Sequence, residues 1–177
     1  YSTIGHMGYA LAGLAPGTNA GIQSTIIYLT IYLVMNLGAF GCIFMMKREN
    51  IFYENINDLS GLSKNHPMLA LSFLIILFSL AGIPPLAGFF AKFYVFMAVI
   101  EVKMYALAII GLVTTVVSAF YYLRIIKVIY FDKPSKPFDE NYDWGLKGSL
   151  ILSSILILIY FIYPSILTNI VSSIIIY

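Results

Sequence analysis

Residues Ser79 to Tyr94 read SLAGIPPLAGFFAKFY. Apolar sequence leads into this stretch from Met68 and out of it to Ile100 without another charge. Inside it lie Gly82, the adjacent prolines Pro84 and Pro85, then Gly88 and, four residues on, Lys92. Proline has no amide hydrogen and its ring clashes with the preceding turn, so one unbroken helix cannot run through this segment. At bilayer depth such an interruption is tolerated only where protein or water satisfies the freed carbonyls. A break and an embedded cation so close together read as an ion or proton site rather than as a lipid-facing span.

The surrounding composition belongs to a membrane protein. Of the 177 residues, 60% are hydrophobic and only 10% charged, against about a quarter charged in soluble domains, and the mean hydropathy is +0.91. The net charge of +2 gives no argument for nucleic acid as a partner. Cys42, the single cysteine, cannot form an internal disulfide. The chain opens in YSTIGHMGYALAGLA, with no initiating Met or charged leader, and reads as the C-terminal part of a longer polypeptide.

Five apolar segments define an all-α membrane protein with five transmembrane segments in one domain covering 1–177. The predicted helices are 1–15, 22–46, 68–83 plus 86–100, 104–131 and 146–176. The third is discontinuous, broken at Pro84-Pro85, and is too long for one straight span of roughly 20 residues. Pro164 bends or ends the main span of the fifth, which carries no charge and reads as peripheral. The second link holds Lys47, Arg48 and Lys64. The fourth, with the adjoining helix end, holds Arg124, Lys127, Lys133, Lys136 and Lys147. Helices alternate sides, so these basic links share one, which the positive-inside rule places in the cytoplasm or mitochondrial matrix, with the C-terminus opposite.

With Lys103, that census accounts for nine of the ten basic residues, and all eight acidic residues also fall in links. The tenth is Lys92, roughly 12 Å of helix before Ile100. A lysine in mid-membrane costs at least ~2.5–3.5 kcal/mol on insertion scales, and lysine is a cation that burial readily makes titratable near neutral pH. Proton handling is one reading; a structural cation capping the carbonyls freed by Pro84 and Pro85 is the other. His6 shares a helix face with Ser2 and Tyr9 and either relays protons or makes an interhelical hydrogen bond. Ser24, Tyr28, Tyr32 and Asn36 form one polar stripe at i, i+4, i+8 and i+12, and Thr114, Ser118 and Tyr122 form a shorter one. Both stripes suit a hydrated path or plain interhelical bonding. Gly5, Gly8 and Ala12, and Gly38 with Gly41, are expected to let helices approach closely. His66, before Pro67, reads as interfacial. There is no paired-cysteine metal motif, phosphate loop, nucleophile elbow or HExxH, and one Cys with two His builds no redox centre.

The segments YSTIGHMGYAL, IYLVMNLGAFGC, NINDLSGLSKNHPMLAL, LAGIPPLAGFFAKFYVF and AFYYLRIIKVIYF resemble, in order, subunit N of bacterial proton-pumping NADH:quinone oxidoreductase. Its mitochondrial equivalent is NADH dehydrogenase subunit 2 of respiratory complex I. The likeness weakens only between Asp132 and Lys147 and in the last helix. It implies fourteen transmembrane helices, of which this chain would hold the tenth to fourteenth. It also implies that Lys92 is the lysine on the second half of the interrupted twelfth helix and that His6 is the relay histidine of the tenth. The family's glutamate on the fifth helix and lysines on the seventh and eighth would lie upstream. NADH, FMN, iron–sulfur clusters and quinone would belong to other subunits, and this chain would carry no cofactor or metal. Expected partners are other membrane-arm subunits, the lipid bilayer and the N-terminal part of the same subunit, in a bacterial plasma membrane or the mitochondrial inner membrane. A cation/proton antiporter, a membrane-bound hydrogenase, a photosynthetic ferredoxin–quinone complex and a purely structural subunit are the competing assignments.

Overall fold

The computed structural model describes residues 2–49, 51–139 and 144–174. The chain winds through α1 (Ser2–Leu14), α2 (Asn19–Phe44), a minimal pair of strands β1 (Lys47–Arg48) and β2 (Ile51–Phe52), and a 3-10 turn at Ile56–Leu59. It continues through α3 (Leu62–Asn65), α4 (Pro67–Ala81), α5 (Ala87–Glu101), α6 (Tyr105–Phe131), α7 (Trp144–Ile162) and α8 (Ser165–Ile174). Of these, α2, α6 and α7 are long and apolar enough to cross a membrane; α4 and α5 are apolar helices of 15 residues each. The outward face of α6 exposes Val113, Val116, Val117 and Phe120.

The centre of the bundle is α2, which packs against α1, α4, α5, α7 and α8. Thr18 caps its start, accepting the Gly21 amide hydrogen at 3.1 Å. Tyr28 and Met35 on α2 are buried with Ile76 of α4, Val95 and Val99 of α5 and Ile157 of α7. At one end the two basic links lie together. The Asp139 amide donates to Lys47 O, the Ser135 amide to Ser60 O, and the Phe138 amide to His66 Nε2. Arg48 is stacked between the rings of Tyr53 and Phe138, at 4.6 and 4.5 Å.

The elements depart from the sequence expectations at several points. The helix before the break stops at Ala81, ahead of the prolines, because Gly82 (φ 83°) turns left-handed and caps it. The Gly82 amide returns to Phe78 O and Ser79 O and the Ile83 amide to Phe78 O, so two of the four terminal carbonyls are paired before Pro84 and Pro85 are reached. The main span of the fifth apolar segment ends at Pro164, one of the two outcomes expected there: backbone is non-helical at Tyr163 and a second helix starts at Ser165. Its first half is not peripheral: Ser153, Ser154 and Ile157 of α7 are buried, because the small Gly38 and Gly41 of α2 let α7 lie close. No described residue comes within 4 Å of a Cβ placed on Gly5 or Gly8. The two-residue β1–β2 pairing is the one departure from an all-helical chain among the described residues, a tight reversal in the basic link. Tyr1, Glu140, Asp143, Ile175 and Ile176, used above as helix ends or link acids, lie outside the described residues.

The two short helices meet end to end with very little room. A Cβ on Gly88, the second residue of α5, would lie 1.8 Å from the backbone oxygen of Ser79 in the last turn of α4. Gly88→Ala therefore forces the two helices apart. In the full-length subunit this costs at least the ~1–3 kcal/mol typical of overpacking, read as lower amounts of assembled protein in membranes and a lower melting temperature.

Candidate functional site

A helix ends with four carbonyls that lack intrahelical partners, and in a membrane each needs one. At the end of α4 these are the oxygens of Phe78, Ser79, Leu80 and Ala81. The amides of Gly82 and Ile83 serve the first two. In a continuous helix Leu80 O and Ala81 O would take the amides four residues on, which here belong to Pro84 and Pro85 and carry no hydrogen. Lys92 replaces them: Nζ donates to Leu80 O at 3.1 Å and to Ala81 O at 3.0 Å. The lysine sits on the second turn of α5, which returns beside the end of α4, and its side chain is 4% exposed. Gly82 does more than cap, since a Cβ there would lie 3.0 Å from Lys92 Nζ.

The other side of the ammonium faces α1. Nζ lies 5.2 Å from the ring centroid of Tyr9, a cation–π contact strengthened where water is excluded. The Tyr9 hydroxyl is 2.6 Å from Thr115 Oγ1 and 3.1 Å from both Thr114 Oγ1 and Gly111 O on α6. No carboxylate among the described residues pairs with Lys92. Its charge is balanced by carbonyl dipoles and an aromatic face.

One turn before Tyr9 on α1, the buried His6 holds two tyrosine hydroxyls: Nδ1 is 2.7 Å from Tyr28 OH on α2 and Nε2 is 3.1 Å from Tyr122 OH on α6. Tyr122 in turn bonds Ser2. A neutral imidazole has one donor and one acceptor nitrogen, so one tyrosine donates to it and the other accepts. Exchanging the tautomer reverses the chain Ser2–Tyr122–His6–Tyr28 without moving a heavy atom, which is the geometry a proton relay needs. Tyr32 stacks on the imidazole at 4.6 Å. No hydrogen bond among the described residues joins His6 to Lys92; the ring of Tyr9 lies between them, with centroids 6.3 Å from His6.

The remaining sequence candidates divide. Gly82 and Gly88 sit at the two helix ends, whereas Pro84 and Pro85 are exposed in the linker and act through the hydrogens they lack. Tyr28 and Tyr32 meet His6. Ser24 bonds Gly21 O of its own helix, Asn36 is half-buried beside Tyr32 in an open groove against α7, and neither touches His6 or Lys92. Thr114 and Ser118 bond Gly111 O and Thr115 O of their own helix, and only Thr114 also reaches Tyr9. Side chains four apart share a face, and the bundle brings the middle of the stripe, Tyr28 and Tyr32, to the histidine. Thr115, Ser79 and the seat of Lys92 on Tyr9 escaped the sequence reading. His66, read as interfacial, ties the basic links together. No three His, Cys, Asp or Glu side chains among the described residues lie close enough to share a metal ion.

Comparison with known proteins places this arrangement. The family described as NADH:quinone oxidoreductase/Mrp antiporter, TM, matches residues 1–118. NADH-quinone oxidoreductase subunit N of Pelagibacter ubique is 67% identical over 98% of the chain and 37% of its own length. That of Parvibaculum lavamentivorans is 52% identical over 93% of the chain and 34% of its own length. The chain thus spans just over a third of these relatives. Respiratory complex I from Thermus thermophilus contains a chain with a TM-score of 0.76 at 27% identity, matching 96% of this chain and 38% of that one. A chain of the Mrp complex from Dietzia sp. superposes at 0.83 with 21% identity, over 94% of this chain and 39% of its own, a likeness of fold alone. The chain is an integral membrane protein and belongs to the NADH:quinone oxidoreductase/Mrp antiporter transmembrane family.

Proposed function

We propose that the chain is the C-terminal part of a membrane-arm subunit of NADH:quinone oxidoreductase, respiratory complex I, and takes part in proton translocation coupled to electron transfer from NADH to quinone. The relatives named subunit N support this over the antiporter, hydrogenase and photosynthetic assignments. Its role is that of a non-redox translocase subunit; NADH, FMN, iron–sulfur clusters and quinone are bound elsewhere in the complex. Its neighbours are other membrane-arm subunits, the bilayer and the N-terminal part of the same subunit.

In this reading α4 and α5 form one discontinuous span. A helix of 15 residues is about 22 Å long, short of the ~30 Å hydrocarbon core. The basic link precedes α4, and α6 returns to that same end by itself, so α4 and α5 together make the single outward crossing. With α1 and with α7–α8 this gives five spans. The basic end faces the cytoplasm or matrix, and the C-terminus faces the periplasm or intermembrane space.

The observation that carries the mechanism is the pair of bonds from Lys92 to Leu80 O and Ala81 O. An ammonium has three hydrogens and a neutral amine two. Two suffice for the carbonyls, so the third is transferable without opening the cap. Lys92 alternates between these forms as neighbouring charges change, and the His6 chain handles the proton on the far side of Tyr9. Water near the Gly82–Gly88 break connects Lys92 to one face of the membrane.

The same two bonds favour a second reading, in which Lys92 only caps the helix. Glutamine separates the two, because its amide offers two donors and does not titrate. In the full-length subunit within the complex, Lys92→Gln is expected to assemble and to lower protons pumped per NADH as Lys92→Met does. Unchanged stoichiometry in both assembled variants removes the relay role, and loss in Lys92→Met alone assigns Lys92 to the cap. For the histidine chain, Tyr28→Phe leaves a buried ring nitrogen unpaired at a cost of about 1–3 kcal/mol. It should lower both the melting temperature of the solubilised subunit and the pumping rate per complex.

A further inference from the structure

Ser79 stands at the junction of three helices and has no place in the relay described above. It is fully buried, in the last turn of α4. Its Oγ accepts the Gly88 amide hydrogen at 3.0 Å, and its hydroxyl hydrogen points to Met35 Sδ on α2 at 3.1 Å. The start of α5 has no side-chain cap of its own: Leu86 occupies the cap position and offers no oxygen. A helix start leaves its first amides unpaired, and a serine oxygen is among the best groups to take one. Ser79 supplies that oxygen from the neighbouring helix.

The geometry points to Ser79 as a positioning residue that caps α5 in trans and thereby sets where the Lys92 ammonium sits. Three features join in this inference. Gly88 leaves space for its amide to reach Ser79, with the Ser79 carbonyl closing directly on its Cα. The two carbonyls that Lys92 holds, Leu80 O and Ala81 O, follow Ser79 directly in the chain. Lys92 follows Gly88 by four residues, one helical turn. Ser79–Gly88 at one corner and Lys92 with Leu80 and Ala81 at the other thus brace α4 against α5, and the contact with Met35 anchors the pair to α2. Without the first brace α5 is free to rotate or slide along α4, and one of the two lysine bonds is lost. The proton that Lys92 passes on then leaves from a displaced nitrogen.

This inference rests on the proposed role of Lys92, and the test keeps the two apart. Ser79→Ala, Ser79→Thr, Ser79→Cys and Lys92→Met are introduced into the full-length subunit of the complex. NADH oxidation and protons pumped per NADH are measured per assembled complex in proteoliposomes. Ser79→Ala is expected to lower proton stoichiometry toward that of Lys92→Met, while NADH oxidation in uncoupled membranes is retained. Ser79→Thr, which keeps the hydroxyl, restores at least half of the wild-type stoichiometry. Should Ser79→Ala fail to assemble, Ser79→Cys provides the contrast, since its thiol has similar size and is a weaker acceptor; it should fall between Thr and Lys92→Met. If Ser79→Ala, or Ser79→Cys in its place, pumps as wild type while Lys92→Met does not, the positioning role is overturned and the Lys92 reading stands. Normal pumping in both overturns both, and equal loss in Ala and Thr overturns the hydroxyl's role.

Discussion

Two carbonyl oxygens without amide partners, on Leu80 and Ala81, are the constraint around which this bundle is arranged. Prolines four residues ahead of each have removed the hydrogens that an ordinary helix would offer. In water the loss would be trivial, but inside a bilayer an unpaired carbonyl costs several kcal/mol. The chain meets the need with a lysine from the next helix, and one problem cancels another: a buried ammonium lacks hydration, and two carbonyl dipoles without amide partners replace it. Charge-assisted bonds of this kind are roughly twice as strong as neutral ones. Each half offsets part of the cost of the other.

That exchange explains the shape of the surroundings. The lysine must come back alongside the end of its predecessor, so α4 and α5 are short and meet closely, with glycine at the two places where a side chain would collide. An aromatic ring rather than a carboxylate closes the third side of the ammonium. A carboxylate would hold the charge in a tight pair, whereas a ring face and two carbonyls stabilise it without binding the proton. The His6 chain one turn away follows the same pattern: three hydroxyls and one imidazole are joined in one hydrogen-bonded chain.

Much of this could be read from the chain because the signals were local. Pro84-Pro85, a lone Lys92 in an apolar run and basic links at alternate loops are each visible within a few residues, and the interruption of helical backbone between Ala81 and Ala87 was legible from them. Its starting point was not, because proline is the conspicuous residue while the left-handed Gly82 ends the helix first. The partners of His6 lay on recognised stripes, yet which tyrosine meets which nitrogen depends on how α1, α2 and α6 rotate about their axes. Periodicity gives a face but not its neighbour. Tyr9 under Lys92 and Thr115 against Tyr9 join residues far apart in sequence. The Ser79–Gly88 bond spans nine residues across a turn, a spacing that belongs to no helical repeat. Ser24 and Ser118 bond carbonyls of their own helices and Asn36 lines a groove against α7, positions that the regularity of a stripe does not reveal.

The most direct measurement of the central claim is a side-chain-resolution map of the assembled complex in lipid, read at a single atom. Lys92 Nζ is expected at hydrogen-bond distance from both Leu80 O and Ala81 O, near 3.1 and 3.0 Å, over the ring of Tyr9 and away from headgroups. Density that placed the ammonium in the interface, or gave those two oxygens to backbone amides of a helix continuing past Pro84, would contradict it.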